Sequence, residues 1–588
     1  MPLAATRAAK IVTIAGLVLG LAVYGQFYAV FDNAWRHPPL MDDALAFCRY
    51  ADHILAGWGI AWNPGGPQTY GCTSLLYLFW ITLLRSVIEL KPWEVLLIGS
   101  LLPALAALPL LGAACARAAS DSALRSFPAG WGFVALCVIV QSQYLYHAFS
   151  GMDTTLGLLA NAVLILVAVD PRLPRSAWRA ALAAGVGYLA FLARPDNLLC
   201  AVLFPGLLIL LAREPRVLRV RGLLWFGGAL AVLLAADTLV KTAVFGSPLP
   251  LPFYAKQAGF YDGYVGAANW NAVGYQRDFL LNNAIPLAVL VFTISRHAWR
   301  ITAAAAVPAL LTWGYLASVT QIMGMEARFY YPSLPFLILA AWHALDTRVA
   351  LLRVEPTISG RTIAARCAAL AALAALLFPV AARAERWYAE RCRRLNPSRL
   401  APGLYADAPT QPQLGWGPAM EVVYDLVRRC PREAVWAMSE HGLVGATNPD
   451  VVIIDLVGLH DRSTLDGAAP LERIVGQPAR GRAAAANAVA RGTNSNRVAS
   501  TDHAAPSAPP DAIWFPHSDY TGLVNALASS PRFNELYLVW PGAFDYGFAI
   551  RRDTRFRPQI QGALRETWRK VYNRELPAPA RPVTRHDS

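Results

Sequence analysis

The chain has 588 residues, of which 56% are hydrophobic and 15% are charged, and its formal net charge is +14. Several apolar runs are long enough to cross the roughly 30 Å hydrocarbon core of a bilayer as helices, which predicts a polytopic membrane protein. The positive charge falls in short arginine clusters between these runs and forms no continuous basic stripe. It therefore indicates membrane topology and argues against a nucleic-acid partner.

The first apolar run, residues 11–30, follows a short basic N-terminus with Arg7 and Lys10 and has no cleavage pattern. It predicts an uncleaved helix that starts in the cytoplasm. Arginine clusters of the kind that mark cytoplasmic loops recur at residues 117–125, 172–179, 213–221, 296–300 and 348–366. The turns between them, rich in aromatic and single charged residues, are predicted to face outward.

The apolar runs number about twelve. If all twelve crossed the membrane, the arginine clusters from residue 117 onward would lie outside instead of in the cytoplasm. Residues 73–90 carry Arg85, Glu89 and several aromatic residues, a composition typical of a helix in the headgroup region. With this run at the interface, the sequence predicts about eleven spans, with the N-terminus inside and the C-terminus outside. The expected location is the cytoplasmic (inner) membrane.

After the apolar run 362–380 the composition changes to polar residues, prolines and short β-like stretches. Strands are predicted at residues 450–455, 535–540 and 546–552, and a helix at residues 419–430. The sequence therefore predicts an all-α polytopic membrane domain over residues 1–382. A small extracytoplasmic α/β domain is predicted over residues 383–588.

Two adjacent carboxylates, Asp42 and Asp43, stand where the chain leaves the first span and begins a short amphipathic helix. One carboxylate suffices to cap the exposed N–H groups of that helix. The second would lie beside an apolar surface, where an unpaired charge costs free energy unless it has a partner or a task. Such a carboxylate can act as general base toward a sugar hydroxyl, and a pair can bind a divalent cation. The sequence leaves both roles open.

The stretch DDALAFCRYADHILAGWGIAWNPGG at residues 42–66, followed by TSLLYLFW, resembles the first extracytoplasmic loop of the GT-C glycosyltransferases. It is most similar to the terminal arabinofuranosyltransferases of mycobacterial cell walls, in which an acidic pair, an R-Y-A step, a G-x-G turn and an N-x-G step recur. Further similar motifs follow in order: SGMDTTL at 150–156, ARPDNLL at 193–199, PLPFYAK at 250–256, RFYYPSLP at 328–335 and IIDLVGLHD at 453–461.

The resemblance implies a GT-C fold and an inverting glycosyltransferase. Its donor would be a polyprenyl-phosphate sugar, with arabinofuranose one candidate. Its acceptor would be a cell-envelope glycan, glycolipid or protein on the outer face of the cytoplasmic membrane. Asp42 or Asp43 would be the catalytic base. The matching motifs place donor or substrate contacts at Arg49, Asn63, Asp153, Arg194, Tyr254, Lys256, Arg328 and Tyr330. Phosphate is a good leaving group, so no cofactor is required, and a divalent cation at the acidic pair stays open.

Three of these cations, Arg194, Lys256 and Arg328, lie at the outward ends of predicted spans. Each can hold a donor phosphate, or can snorkel toward lipid headgroups. Arg194 can alternatively pair with Asp196, and Glu326 can neutralise Arg328.

Two other classes of function remain as alternatives. A transporter or flippase of a lipid-linked glycan would mark its path with intramembrane charges, but here the charges gather at one face and no half-molecule symmetry is visible. An envelope scaffold that uses its membrane part only as an anchor would need fewer than about eleven spans.

Asp455, His460 and Asp461 lie at the end of a predicted strand. We expect them to form a turn, with a contact to the acceptor as the alternative.

Overall fold

The computed structural model of the chain describes residues 2–36, 41–121, 124–139, 141–255, 272–318, 324–352, 405–406, 412, 414–462, 465, 474, 509–515 and 520–582. This part of the chain is mostly helical and carries one small sheet near its C-terminal end. The predicted span at 362–380 and the predicted domain boundary after residue 382 lie outside the described residues. The described residues from 405 onward are called the C-terminal region below.

The helices before the C-terminal region are α1 (Pro2–Arg36), α2 (Asp42–Leu55), α3 (Leu75–Val87), α4 (Pro92–Ala118), α5 (Phe127–Val138), α6 (Ser142–Phe149), α7 (Thr154–Ala168), α8 (Ala177–Ala193), α9 (Leu198–Leu210), α10 (Arg216–Phe245), α11 (Leu251–Ala255), α12 (Ala272–Asn282), α13 (Ala284–Thr293), α14 (Trp299–Ser318) and α15 (Leu334–Leu352). Short 3-10 turns cover Pro195–Asn197, Met325–Ala327 and Tyr331–Ser333.

Four helical segments of the described chain are long and apolar enough to cross a membrane: Lys10–Arg36, Pro92–Ala118, Arg216–Phe245 and Met325–Leu351. The pair α5 and α6 is bent by 95° and adds a fifth if both arms belong to one span. Length and composition thus identify a membrane protein. The count of eleven spans, the orientation and the choice of membrane stay predictions.

Helix α10 differs from α4 in what surrounds its apolar side chains. Leu224, Val232 and Leu239 on α10 are exposed, whereas most of the apolar window of α4 is buried among other helices. Leaving such side chains in water would forfeit about 1.5–3 kcal/mol each. Contact with lipid removes that cost, so α10 has the surface expected at the rim of a membrane domain and α4 the surface expected at its centre.

Helix α3 covers most of the run at residues 73–90 that was predicted to lie at the membrane interface. It has 13 residues and begins after Ser74, whose side chain accepts a hydrogen bond of 3.1 Å from the N–H of Tyr77. At about 1.5 Å per residue it spans roughly 20 Å, which is too short to cross the hydrocarbon core. This length agrees with an interfacial position.

Helix α2 departs from the expectation of a surface helix capped by its own carboxylate. Its N-cap is Met41, which makes no side-chain capping bond, and most of the helix is buried. It packs against α3 on one side and against a helix of the C-terminal region on the other. The amphipathic pattern is therefore satisfied by protein on both faces.

The C-terminal region is built around a five-stranded sheet. Its strands are β2 (Trp436–Met438), β3 (Ile453–Asp455), β4 (Ala512–Trp514), β5 (Tyr537–Pro541) and β6 (Gly547–Arg551), while β1 (Tyr405–Ala406) pairs separately with β7 (Arg581–Pro582). The order is β3-β2-β4-β6-β5, with parallel pairing among β3, β2 and β4 and antiparallel pairing beyond. Helices α16 (Trp416–Arg428), α17 (Gly442–Thr447), α18 (Thr521–Ala528), α19 (Pro531–Leu536) and α20 (Arg557–Tyr572) complete it.

The structure confirms the three predicted strands as β3, β5 and β6, and the predicted helix as α16. Strands β2 and β4 were not predicted from the sequence. Each has only three residues, which is shorter than the runs of four to eight β-formers that predict a strand from sequence.

Candidate active site

The carboxylate of Asp42 binds the C-terminal region. Oδ2 accepts a hydrogen bond of 2.9 Å from the N–H of Gly442, and Oδ1 accepts one of 3.1 Å from the N–H of Leu443. Both donors belong to the first turn of α17, where N–H groups lack partners within the helix. Asp42 therefore caps α17, and a glycine is needed at 442 because a Cβ there would collide with the backbone oxygen of Asp42.

Asp42 is only 4% exposed, and its surroundings change its acidity. Burial, together with repulsion from Glu440, raises the pKa of the carboxyl to about 7, although His441 and the Gly442 N–H oppose the rise. Asp42 thus titrates near neutral pH.

Asp43 is the more accessible member of the pair. Its side chain is 30% exposed, and Oδ2 lies 3.9 Å from Nη1 of Arg328. That distance satisfies an ion pair but exceeds a hydrogen bond. Asp43 therefore stands next to a cation with its oxygens still open to a ligand.

Arg328 is a buried cation that has not used all its donors. Its side chain is 6% exposed, and its Nη1 contacts the sulfur of Met41 at 3.4 Å. Among the described residues its Nε has no hydrogen-bond partner. Burying a guanidinium with open donors costs several kcal/mol, so this arrangement is suited to an anion bound at Arg328.

Arg194 differs from Arg328 in having its guanidinium engaged. Nε and Nη2 donate to Asp196, with a shortest distance of 2.7 Å, and Nη1 donates to Asp153 at 2.9 Å. The Arg194 and Arg328 guanidinium groups lie 5.3 and 5.1 Å from the Phe329 ring centre. The structure confirms the anticipated pairing of Arg194 with Asp196 and connects Asp153 to the same cluster.

The backbone just before Arg328 has an unusual conformation. Glu326 and Ala327 have φ values of 55° and 57°, in the left-handed region that side chains other than glycine rarely adopt. Nε2 of His147 donates a hydrogen bond of 2.8 Å to the carbonyl of Glu326. Strain of this kind, about 1–3 kcal/mol per residue, concentrates at functional sites, and here it lies directly before Arg328.

Arg49 and Asn63, expected to contact the donor, hold the C-terminal region in this structure. All five N–H groups of Arg49 are used. They donate to the carbonyls of Trp62, Gly445, Asn448 and Val451 and to Oδ1 of Asn63. Asn63 also exchanges two hydrogen bonds with the backbone of Ile453. Arg49 therefore has no N–H left for a phosphate, and Asn63 is held against the C-terminal region.

The remaining expected contacts lie elsewhere or beyond the described chain. Tyr330 is buried, with its ring 6.0 Å from that of Phe279. Tyr254, half-buried, packs edge-on against Phe253 near the end of α11. Lys256 lies outside the described residues. The structure thus brings together Asp42, Asp43 and Arg328, with Arg194 and Asp153 beside them.

Three further titratable groups, His441, Asp455 and His460, cluster immediately beyond Asp42. Burial opposes a charge on His441, but the Asp455 carboxylate outweighs burial and raises the pKa of His441 to about 9. Burial lowers the pKa of His460 to about 3, and the His441 cation acts in the same direction. His441 could not be predicted from the sequence, since no local spacing links it to residues 455 and 460.

No protein-family model matches the chain, and no curated protein matches it. The likeness to GT-C glycosyltransferases therefore rests on the motifs quoted above.

Proposed function

We propose that the chain is an inverting glycosyltransferase that takes a sugar from a polyprenyl monophosphate. The observation that carries the proposal is Arg328, a buried guanidinium with an unused donor, 3.9 Å from the partly exposed carboxylate of Asp43. A donor of this class presents a phosphate directly beside the anomeric carbon that reacts. A cation next to a carboxylate suits such a donor, because the cation can bind the phosphate while the carboxylate lies beside the anomeric carbon.

The position of the pair in the chain supports a lipid-linked donor. Arg328 lies near the start of the candidate span Met325–Leu351, and Asp43 follows the candidate span Lys10–Arg36 by a few residues. Both groups therefore belong at the edge of the membrane, at the depth of lipid phosphates. The polyprenyl chain would extend from there into the bilayer.

The proposed reaction is a single displacement. An acceptor hydroxyl attacks the anomeric carbon, its proton passes to Asp43, and the bond between that carbon and the phosphate oxygen breaks. The polyprenyl phosphate leaves with the electron pair, and the Arg328 guanidinium stabilises its charge. The new glycosidic bond forms on the opposite face of the sugar, which inverts the configuration.

Asp42 has a different task in this proposal. Its oxygens accept N–H groups of Gly442 and Leu443, so it positions Asp43 and fastens the C-terminal region above it. The acceptor would then reach Asp43 along the border between α2 and the C-terminal region. The proposed acceptor is a saccharide of the cell envelope. The motifs suggest arabinofuranose as the transferred sugar.

The test is binding of polyprenyl monophosphate, the product common to every donor of this class, to the full chain in detergent. Arg328→Ala should weaken binding about 10- to 100-fold, as expected for the loss of charge-assisted hydrogen bonds. Arg328→Lys should retain part of the affinity because it keeps the charge but not the planar fork. Arg432→Ala is the matched control, since Arg432 is 77% exposed.

Equal binding by all four proteins would refute the role of Arg328. A flippase would also bind the lipid, so turnover separates the two classes. A transferase releases polyprenyl phosphate from a donor in detergent, whereas a flippase needs a sealed bilayer and releases none.

A further inference from the structure

His441, Asp455 and His460 form a second cluster, separate from Asp43 and Arg328. All three side chains are buried, and one ligating atom from each lies within 4.8 Å of the others. His441 directly precedes α17, Asp455 ends β3, and His460 follows in the turn after β3. The end of β3 and the start of α17 thus place two imidazoles and one carboxylate around a common point.

His441 supplies the clearest sign that the cluster is incomplete without a ligand. It is 2% exposed, and neither of its ring nitrogens has a hydrogen-bond partner among the described residues. Nε2 lies 3.4 Å from Oδ1 of Asp455, close enough for an ion pair. A buried imidazole without hydrogen bonds costs free energy that a bound ligand would recover.

The other two members are held in place by neighbours that leave ligating atoms free. The Asp455 carboxylate accepts hydrogen bonds from the backbone N–H groups of Val457 and His460, at 2.8 and 2.9 Å. Nδ1 of His460 lies 3.1 Å from the hydroxyl of Tyr50, and its ring stacks on Trp62 at 4.1 Å. A hydrogen bond to one imidazole nitrogen fixes the tautomer and turns the other toward a ligand.

The loop that carries Gly71 is fitted closely to this arrangement. A Cβ at Gly71 would collide with the Tyr50 hydroxyl and with Nδ1 of His460. The glycine therefore allows the pair Tyr50 and His460 to keep its contact, and Nε2 of His460 is left for a ligand.

We propose that His441, Asp455 and His460 bind a divalent transition-metal ion, of which Zn²⁺ fits the donor set best. Two imidazoles and a carboxylate suit Zn²⁺ and its neighbours, whereas Ca²⁺ and Mg²⁺ require oxygen ligands. In a tetrahedral site, metal–ligand bonds of about 2.0–2.2 Å hold the donor atoms about 3.3–3.6 Å apart. The present spacing of up to 4.8 Å therefore needs a contraction of roughly 1.2–1.5 Å when the ion binds. Three protein ligands leave a fourth position for water or an acceptor oxygen.

The metal would strengthen the junction between α2 and the C-terminal region. His441 is followed by Gly442, whose N–H binds Asp42, so an ion on His441 fixes the start of α17 against the acidic pair. This metal site does not depend on the proposed transferase activity.

The experiment measures the metal content of the full chain, purified in detergent through a tag without histidine. About one Zn²⁺ per chain is expected by mass spectrometry. After removal by a chelator, added Co²⁺ should give the visible absorption of a bound ion. His441→Gln and His460→Gln should each lower Zn²⁺ affinity about a hundredfold or more, and Tyr50→Phe, which alters only the hydrogen bond to His460, about tenfold.

His53→Gln is the matched control. His53 is equally buried at the same junction but contacts the carbonyls of Ala61 and Pro449, so this variant should keep the metal. If the two cluster variants fail to fold, Co²⁺ uptake by the chelator-treated wild-type chain decides alone. Absence of Zn²⁺ and of Co²⁺ uptake in the wild type, or unchanged affinity in folded His441→Gln and His460→Gln, would overturn the proposal and leave an ion pair only.

Discussion

The carboxylate of Asp42 and the N–H of Gly442 are 400 residues apart in the chain and 2.9 Å apart in the structure. The hydrogen bond joins the first residue of α2 to the first turn of α17. Arg49, two turns further along α2, donates to three carbonyls of the same C-terminal region. Helix α2 is therefore the connection between the membrane helices and the C-terminal region.

The close approach at Gly442 predicts the effect of adding one methyl group. Gly442→Ala would place a Cβ against the backbone of Asp42, and overpacking of this kind destabilises by roughly 1–3 kcal/mol. We expect a lower melting temperature in detergent and faster proteolysis of the C-terminal region.

Gly562→Ala is the matched control for that variant. Gly562 lies within α20 with nothing within 4 Å of an added Cβ, so alanine should be neutral or should stabilise by about 0.5–1 kcal/mol. Equal melting temperatures for the two variants would show that Gly442 does not hold the junction.

The raised pKa of Asp42 predicts how the junction responds to pH. A carboxyl whose pKa rises to about 7 on folding holds its proton in the folded state at pH values where the unfolded chain, with an ordinary pKa of about 4, has lost it. Stability from this group must therefore fall as pH rises from about 4 to about 7 and stay constant above.

Asp42→Asn removes this titration but keeps a capping side chain. As the pH rises from 4 to 7, the melting temperature of the wild type should fall relative to that of Asp42→Asn, with both measured in the same detergent. A difference that grows in the opposite direction, or none at all, would contradict the buried position of Asp42.

The arginine clusters predict which parts of the chain lie on opposite sides of the membrane. Arg175, 62% exposed between α7 and α8, is predicted to be cytoplasmic, and Arg432, 77% exposed, belongs to the C-terminal region that is predicted outside. In intact cells, an impermeant thiol reagent should label Arg432→Cys but not Arg175→Cys. The unmodified chain sets the background, and labelling of both variants, or of Arg175→Cys alone, would overturn this topology.

Local patterns in the sequence were sufficient for part of the fold and of the site. Runs rich in β-branched and aromatic residues predicted β3, β5 and β6, and proximity in the chain predicted the pairing of Arg194 with Asp196. The contacts of Asp42 and Arg49 with the C-terminal region could not be predicted in this way. Their partners are backbone N–H and C=O groups, which every residue type carries, so no side-chain identity signals them.

His441 escaped prediction for a related reason. It meets Asp455 only because the parallel pairing of β2 with β3 brings the two strand ends together, and β2 itself is too short to show a pattern. Arg328 was found through its motif, but its unused donor and its distance from Asp43 required the structure.

The measurement that tests the central claim most directly is release of polyprenyl phosphate by the full chain in detergent, with a panel of synthetic polyprenyl-phosphate pentoses and hexoses as donors. At least one donor should turn over. Asp43→Asn should then lower the rate of polyprenyl phosphate release about a hundredfold or more, the range expected when a general base is removed. Asp42→Asn, which keeps a cap for α17, should retain activity within about tenfold. Asp32→Asn, at a residue 76% exposed on α1, should match the wild type. Full turnover by a folded Asp43→Asn protein, or no release from any donor by the wild type, would contradict the account.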